Sequence, residues 1–167
     1  MKKIIIIQLS RMGDLLMTLP LIRSLKEDYK DSHITVICYE EFSHLLDYFQ
    51  DVDHTLKISL GQIQRFSEFG ENNMISDKEQ WPELYDNYDI LINLAYDVWP
   101  AKLTSKLNSK VKYGRITSKK GEVRLLGKWT KYLFSIVQSR QYGIIGMADI
   151  FTLLPVCLTS SLIIATC

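Results

Sequence analysis

The chain has 167 residues, enough for one domain with a substantial core. Its 47% hydrophobic and 23% charged content, with a formal net charge of +1, is that of a folded globular protein and excludes a disordered one. Three cysteines (Cys38, Cys157, Cys167) and three histidines (His33, His44, His54), none at metal-ligand spacing, argue against a disulfide framework or a metal site and for a reducing cytoplasm.

The elements alternate between strand and helix along the chain. Ile4 to Ile7 form a short, uniformly apolar run, the pattern of a buried parallel strand. Two lysines precede it, but the run is too short for a signal peptide. A first helix follows, with Leu15, Leu19, Ile22, Leu25 and Tyr29 on one face; Pro20 predicts that it either kinks or begins there. Ile34 to Tyr39 is a second β-branched strand, and Glu41 to Phe49 a helix with Phe42, Leu45, Leu46 and Phe49 at helical spacing. Val52 to Ile58 reads as a third strand and Gly61 to Asp77 as a loop or irregular helix. Glu79 to Tyr88 reads as a helix with Pro82 near its first turn.

Asp89 to Leu94 is a clear strand, Pro100 to Leu107 a helix, and Val111 to Ile116 a strand. Glu122 to Gln138 reads as one long amphipathic helix, with Leu126, Trp129, Leu133 and Ile136 on one side. Such alternation implies a mainly parallel sheet covered on both faces, a three-layer α/β/α sandwich. From Ile150 to Cys167 the chain carries no charge. The length would permit a membrane span. Pro155, Thr159, Ser160 and Ser161 near its centre argue instead for an element that packs against something outside the chain.

The small net charge hides an asymmetry. Glu27 to Asp97 holds sixteen acidic and four basic residues, a balance of −12; Lys102 to Lys131 holds ten basic residues and one acid, Glu122, a balance of +9. The basic stretch reads either as solvated faces of two helices or as a surface that meets an anionic partner.

The chemical candidate is the turn Leu9-Ser10-Arg11-Met12-Gly13-Asp14, between the first strand and the first helix. In open α/β sheets ligands bind in the crevice at that end of the strands. Asp14 there is either a helix N-cap or a general base, and one position can serve both ends. A dinucleotide site fits less well, because the turn has one glycine in place of G-x-G-x-x-G, even though Glu40 and Glu41 end the second strand. No Walker P-loop is present, and Gln8 and Leu9 stand where a phosphate-accepting receiver domain would need an acidic pair for Mg²⁺.

The string IIIIQLSRMGDLLMTLPLIRSLKEDYKDSHITVICYEEF resembles the N-terminal segment of the glycosyltransferase family 9 heptosyltransferases, which build the inner core of lipopolysaccharide. NYDILINL at Asn87 to Leu94, KYLFSIVQSRQY at Lys131 to Tyr142 and MADIF at Met147 to Phe151 extend the likeness over roughly residues 3 to 151. The resemblance implies the N-terminal half of an inverting, metal-independent GT-B enzyme: a Rossmann-like acceptor-binding domain over residues 1–142, then an apolar inter-domain segment or aberrant tail over 143–167. The donor-binding C-terminal domain is expected to be absent from this chain. Asp14 would be the general base. Ser10 and Arg11 could hold an acceptor hydroxyl or anionic group, Gly13 would let the backbone approach the sugars, and Asn93 would bind substrate or order its loop.

The expected donor is an ADP-activated sugar, with no cofactor and no metal. The expected partners are a lipopolysaccharide core or other glycolipid and the missing domain, with peripheral contact to an anionic membrane at the inner face of the cytoplasmic membrane and no nucleic acid. The competing class is a non-enzymatic Rossmann-like binding module or an inactive truncated relic.

Overall fold

Ile4 to Ile7 lie at the middle of strand β1 (Lys2–Gln8), and all four are fully buried. Side chains alternate across a strand, so Ile4 and Ile6 enter one core cluster and Ile5 and Ile7 the other. A strand buried on both faces is a central strand of a covered parallel sheet. The computed structural model, which describes residues 1–63, 82–138, 149–151 and 153, has that arrangement. β1 pairs in parallel with β2 (Ser32–Tyr39) on one side and β4 (Asn87–Asn93) on the other. β3 (His54–Ile58) extends the sheet beyond β2, and β5 (Asn108–Thr117) extends it beyond β4, both in parallel. β6 (Val123–Leu126) closes the edge antiparallel to β5, giving the order β3-β2-β1-β4-β5-β6.

On one face lie α2 (Leu19–Asp28), which buries Leu21, Ile22 and Leu25, and α4 (Lys128–Gln138), which buries Leu133 and Phe134. Ile150 and Phe151 are fully buried in the same cluster, so part of the segment expected to lie outside the domain belongs to its core. α3 (Val98–Lys106) covers the opposite face through Leu103, with Tyr88 and Leu91 beneath it. This is the expected Rossmann-like three-layer α/β/α sandwich.

Four element readings change. The first helix is two: α1 (Met12–Met17) and α2, separated at Thr18, with Pro20 in the first turn of α2, where a missing N–H costs nothing. Glu40–Tyr48 is a 3₁₀ helix instead of an α-helix. Of the helix read over Glu79 to Tyr88, the described part is a 3₁₀ turn at Pro82–Tyr85, and Asn87 and Tyr88 already belong to β4. The Gly61 to Asp77 segment lies outside the described residues beyond Ile63.

The long helix read over Glu122 to Gln138 is the largest correction: Val123–Leu126 is strand, and only Lys128–Gln138 is helix. Ser118 closes the turn between β5 and β6, its N–H donating to the Glu122 carbonyl at 2.7 Å and its Oγ accepting from the Glu122 N–H at 3.2 Å. Gly127 then separates β6 from α4 at φ +96°, a conformation that a side chain would strain, and a Cβ there would sit 3.1 Å from the Tyr113 ring.

Register decides what stands at the carboxyl edge. Ile7 lies opposite Asn93, Asn93 opposite Gly114, and Gly114 opposite Leu126. Residues 115–117 of β5 therefore run past the end of β4 with β6 as their only paired strand, an overhang of about 10 Å at 3.3 Å per residue, and Ser105 of α3 holds Thr117 by accepting its N–H at 2.7 Å. The hairpin carries exposed Lys119, Lys120 and Arg124 at that edge.

Candidate active site

The chain leaves β1 at Gln8, passes Leu9 and Ser10, and enters α1 with Arg11 as its N-cap. Because β2 lies on one side of β1 and β4 on the other, this turn sits at the switch point of the sheet, where two crossovers part and leave a crevice. Gly13 and Arg11 are exposed, while Ser10 and Asp14 are half-buried. Asp14 is the third residue of α1 and not its N-cap, and α1 has no side-chain cap hydrogen bond. The capping reading of Asp14 therefore falls. Among the described residues its carboxylate has no hydrogen-bond or ion-pair partner.

Beyond β4 the chain buries Leu94 and Ala95 and then brings Tyr96 near enough to Asp14 to feel its charge. Burial, then the Asp14 charge, push the Tyr96 phenol up to about 12, so it stays a protonated donor beside a carboxylate. Tyr96 meets Phe134 of α4 edge-to-face at 5.0 Å, and the Arg115 guanidinium lies 5.4 Å above the Phe134 ring. A row of Asp14, Tyr96, Phe134 and Arg115 thus runs from β1 to the overhanging strand. Its members are far apart in sequence. Only the placement of β1 beside β4 and β5 assembles them, and the aromatic end of the β4 strand was the available signal.

Asn93 has a different place. It is fully buried; its amide nitrogen donates to the Arg115 carbonyl at 2.8 Å, and its side-chain oxygen accepts from the Ala95 N–H at 3.0 Å. It ties the β4 turn to the base of the overhang. Gly114 makes that approach possible: a Cβ there would lie 1.9 Å from the Asn93 carbonyl oxygen. Ser10, Arg11, Gly13 and Asp14 share the crevice mouth, and Asn93 stands behind its wall.

Beneath the turn is a buried polar contact. Gln8, the last residue of β1, donates its amide to the Asp14 carbonyl at 3.1 Å and to the Thr18 hydroxyl oxygen at 3.0 Å. Thr18 donates its hydroxyl back to the Asp14 carbonyl at 2.9 Å. Two surface clefts of about 500 and 570 Å³ flank α2 on its solvent side, lined by Arg23, Glu27, Phe49 and Asp51 among others. Neither is lined by Ser10, Arg11, Gly13 or Asp14, and the Arg23–Asp51 pair across them, at 3.7 Å, is exposed and loose. Among the described residues no group of His, Cys, Asp and Glu has the arrangement to hold a metal ion.

No protein-family model matches the chain, and no curated protein matches its sequence. Solved structures do match. A glycosyl transferase family 9 protein from Veillonella parvula DSM 2008 superposes with a TM-score of 0.62 over 92% of this chain and 40% of that one, at 19% identity. E. coli heptosyltransferase WaaC solved with ADP-2-deoxy-2-fluoro heptose gives 0.60 over 91% of this chain and 46% of that one, at 20% identity. The same enzyme solved with ADP gives 0.53 over 67% and 34%, at 22% identity. The fold is that of the heptosyltransferases. At these identities the likeness establishes architecture, and the chain spans less than half the length of the structures it matches.

Proposed function

We propose that this chain is the N-terminal, acceptor-binding half of an inverting heptosyltransferase-like glycosyltransferase that uses an ADP-activated heptose. The observation that carries the reading is the Asp14 carboxylate, without a partner among the described residues, at the switch-point crevice of a heptosyltransferase fold. In the reaction, Asp14 takes the proton of an acceptor hydroxyl while that oxygen bonds to the anomeric carbon. The bond from that carbon to ADP breaks, and ADP leaves with the electron pair. Ser10 and Arg11 hold the acceptor beside Asp14, Gly13 leaves room for a sugar against α1, and Asn93 orders the wall behind them.

The acceptor is a lipopolysaccharide core or related glycolipid, and the basic β5–β6 hairpin favours its phosphates and the anionic inner face of the cytoplasmic membrane. Among the described residues no helix is long and apolar enough to cross a membrane. The donor is held by a second domain facing this one. Catalysis then depends on bringing the attacking oxygen to within roughly 3–3.5 Å of the anomeric carbon.

The test joins this chain to the donor domain of a family 9 enzyme and measures heptosyl transfer to a lipopolysaccharide-core acceptor. Asp14→Asn should lower kcat by at least about 100-fold, the scale of a lost general base, with a melting temperature near that of the parent. Near-normal turnover in that variant would remove the catalytic assignment.

A further inference from the structure

The turn that presents Asp14 is held in a way that ordinary helix formation does not require. At the end of α1 the Thr18 N–H donates to the Leu15 carbonyl at 3.1 Å, an i→i+3 bond, and so does not reach Asp14, four residues back. The Asp14 carbonyl is served by two side chains instead, the Thr18 hydroxyl at 2.9 Å and the Gln8 amide at 3.1 Å. Both arrangements are locally unfavourable. Thr18 is the N-cap of α2, yet its side chain makes no cap bond there, because the hydroxyl is turned back to Asp14. Gln8 is 1% exposed at the end of a strand of isoleucines, and its Oε1 is buried without a hydrogen-bond partner.

An apolar side chain at position 8 would leave no such orphan oxygen. Two polar residues ten apart in sequence converge instead on one carbonyl, that of the residue whose carboxylate faces the crevice. We propose that Gln8 and Thr18 are positioning residues, which fix the main chain of Asp14 so that its carboxylate keeps one direction; the proposal rests on the reading of Asp14 as the base. Both are buried, Gln8 1% and Thr18 0% exposed, and so act on Asp14 from behind its turn. Their part is to hold α1 at the break before α2 and so to spare the carboxylate a search at the moment of proton transfer.

The test needs no turnover. In the isotope-labelled full chain, the two Hα–Hβ couplings of Asp14 should be unequal, reporting one rotamer. They should collapse to averaged values in Thr18→Val and Gln8→Met, and stay unequal in Thr18→Ser, which keeps the hydroxyl. All the variants should melt within about 4 °C of the parent. Unchanged couplings in folded Thr18→Val and Gln8→Met would overturn the proposal, as would averaged couplings in the parent or in folded Thr18→Ser. Unfolding of both Thr18→Val and Gln8→Met would also overturn it, since the contact would then serve stability; if one unfolds, the other decides. Full transfer by Asp14→Asn in the joined enzyme would remove the base assignment and leave this geometric result standing.

Discussion

Two glycines near the crevice make opposite predictions. At Gly114 a Cβ would lie 1.9 Å from a backbone oxygen and φ is +101°, so no side chain fits. Gly114→Ala should destabilise by about 3 kcal/mol or more, through strain at a special φ together with a backbone clash. A melting temperature unchanged by that substitution would contradict the close approach of β5 to Asn93. At Gly13, by contrast, φ is not positive and a Cβ would meet nothing within 4 Å. A glycine inside a helix costs about 1 kcal/mol relative to alanine, and nothing among the described residues accounts for it there. Gly13→Ala should therefore raise the melting temperature by about 2–4 °C while weakening binding of a lipopolysaccharide-core fragment. Equal affinity in titrations of parent and variant would mean that the acceptor does not use that space.

At the scale of elements, one carboxylate joins three of them. Asp53, just before β3, accepts from the Ile34 N–H of β2 at 2.6 Å and from Lys26 of α2 at 2.6 Å, and Lys26 also donates to the Ser32 carbonyl at 2.8 Å. Burial would raise its pKa, but the Lys26 and Ile34 hydrogen bonds outweigh that and hold it below the usual carboxylate range. A carboxylate with a depressed folded pKa contributes stability that is present above its unfolded pKa, about 3.9, and is lost as pH falls through the folded value. Asp53→Asn should then melt below the parent at pH 7, by about 1–2 kcal/mol in stability, and the two should converge in acid. A constant difference down to pH 2 would show that the charge is not what Asp53 contributes. Strand β1 and the Asp14 turn could be read from the sequence because a run of isoleucines and a following helical stripe are local patterns. The β6–α4 segment could not: Leu126, Trp129, Leu133 and Ile136 keep helical spacing straight across Gly127, and only its backbone conformation reveals the break. The Gln8–Thr18 contact and the Tyr96–Phe134–Arg115 row needed the folded sheet, since their partners meet across elements.

Over the whole molecule, the acidic and basic halves of the sequence become two ends of one sheet. Near the amino ends of the strands opposite charges neutralise each other: Lys3 pairs with Asp86 at 2.7 Å and Lys110 with Asp89 at 2.6 Å. Lys112 is used inside the domain, donating to the Thr104 and Ser105 carbonyls at the end of α3, where desolvation lowers its pKa. The basic residues were expected either on two helical faces or on an anion-facing surface, and several stand on neither helix. Lys119, Lys120 and Arg124 sit on the β5–β6 hairpin, which overhangs the same edge as Asp14, with Glu122 only 3.7 Å from Arg124 as a loose, exposed partner. A cation near an anionic bilayer contributes about 1 kcal/mol. Replacing all three with Gln should therefore weaken binding to phosphatidylserine-containing liposomes by up to about a hundredfold at low salt. Physiological salt should weaken the parent in the same direction, because exposed charges are screened over about 8 Å. Sedimentation with anionic and neutral vesicles measures both effects. Equal binding to neutral vesicles, or indifference to salt, would return the hairpin to an ordinary solvated edge.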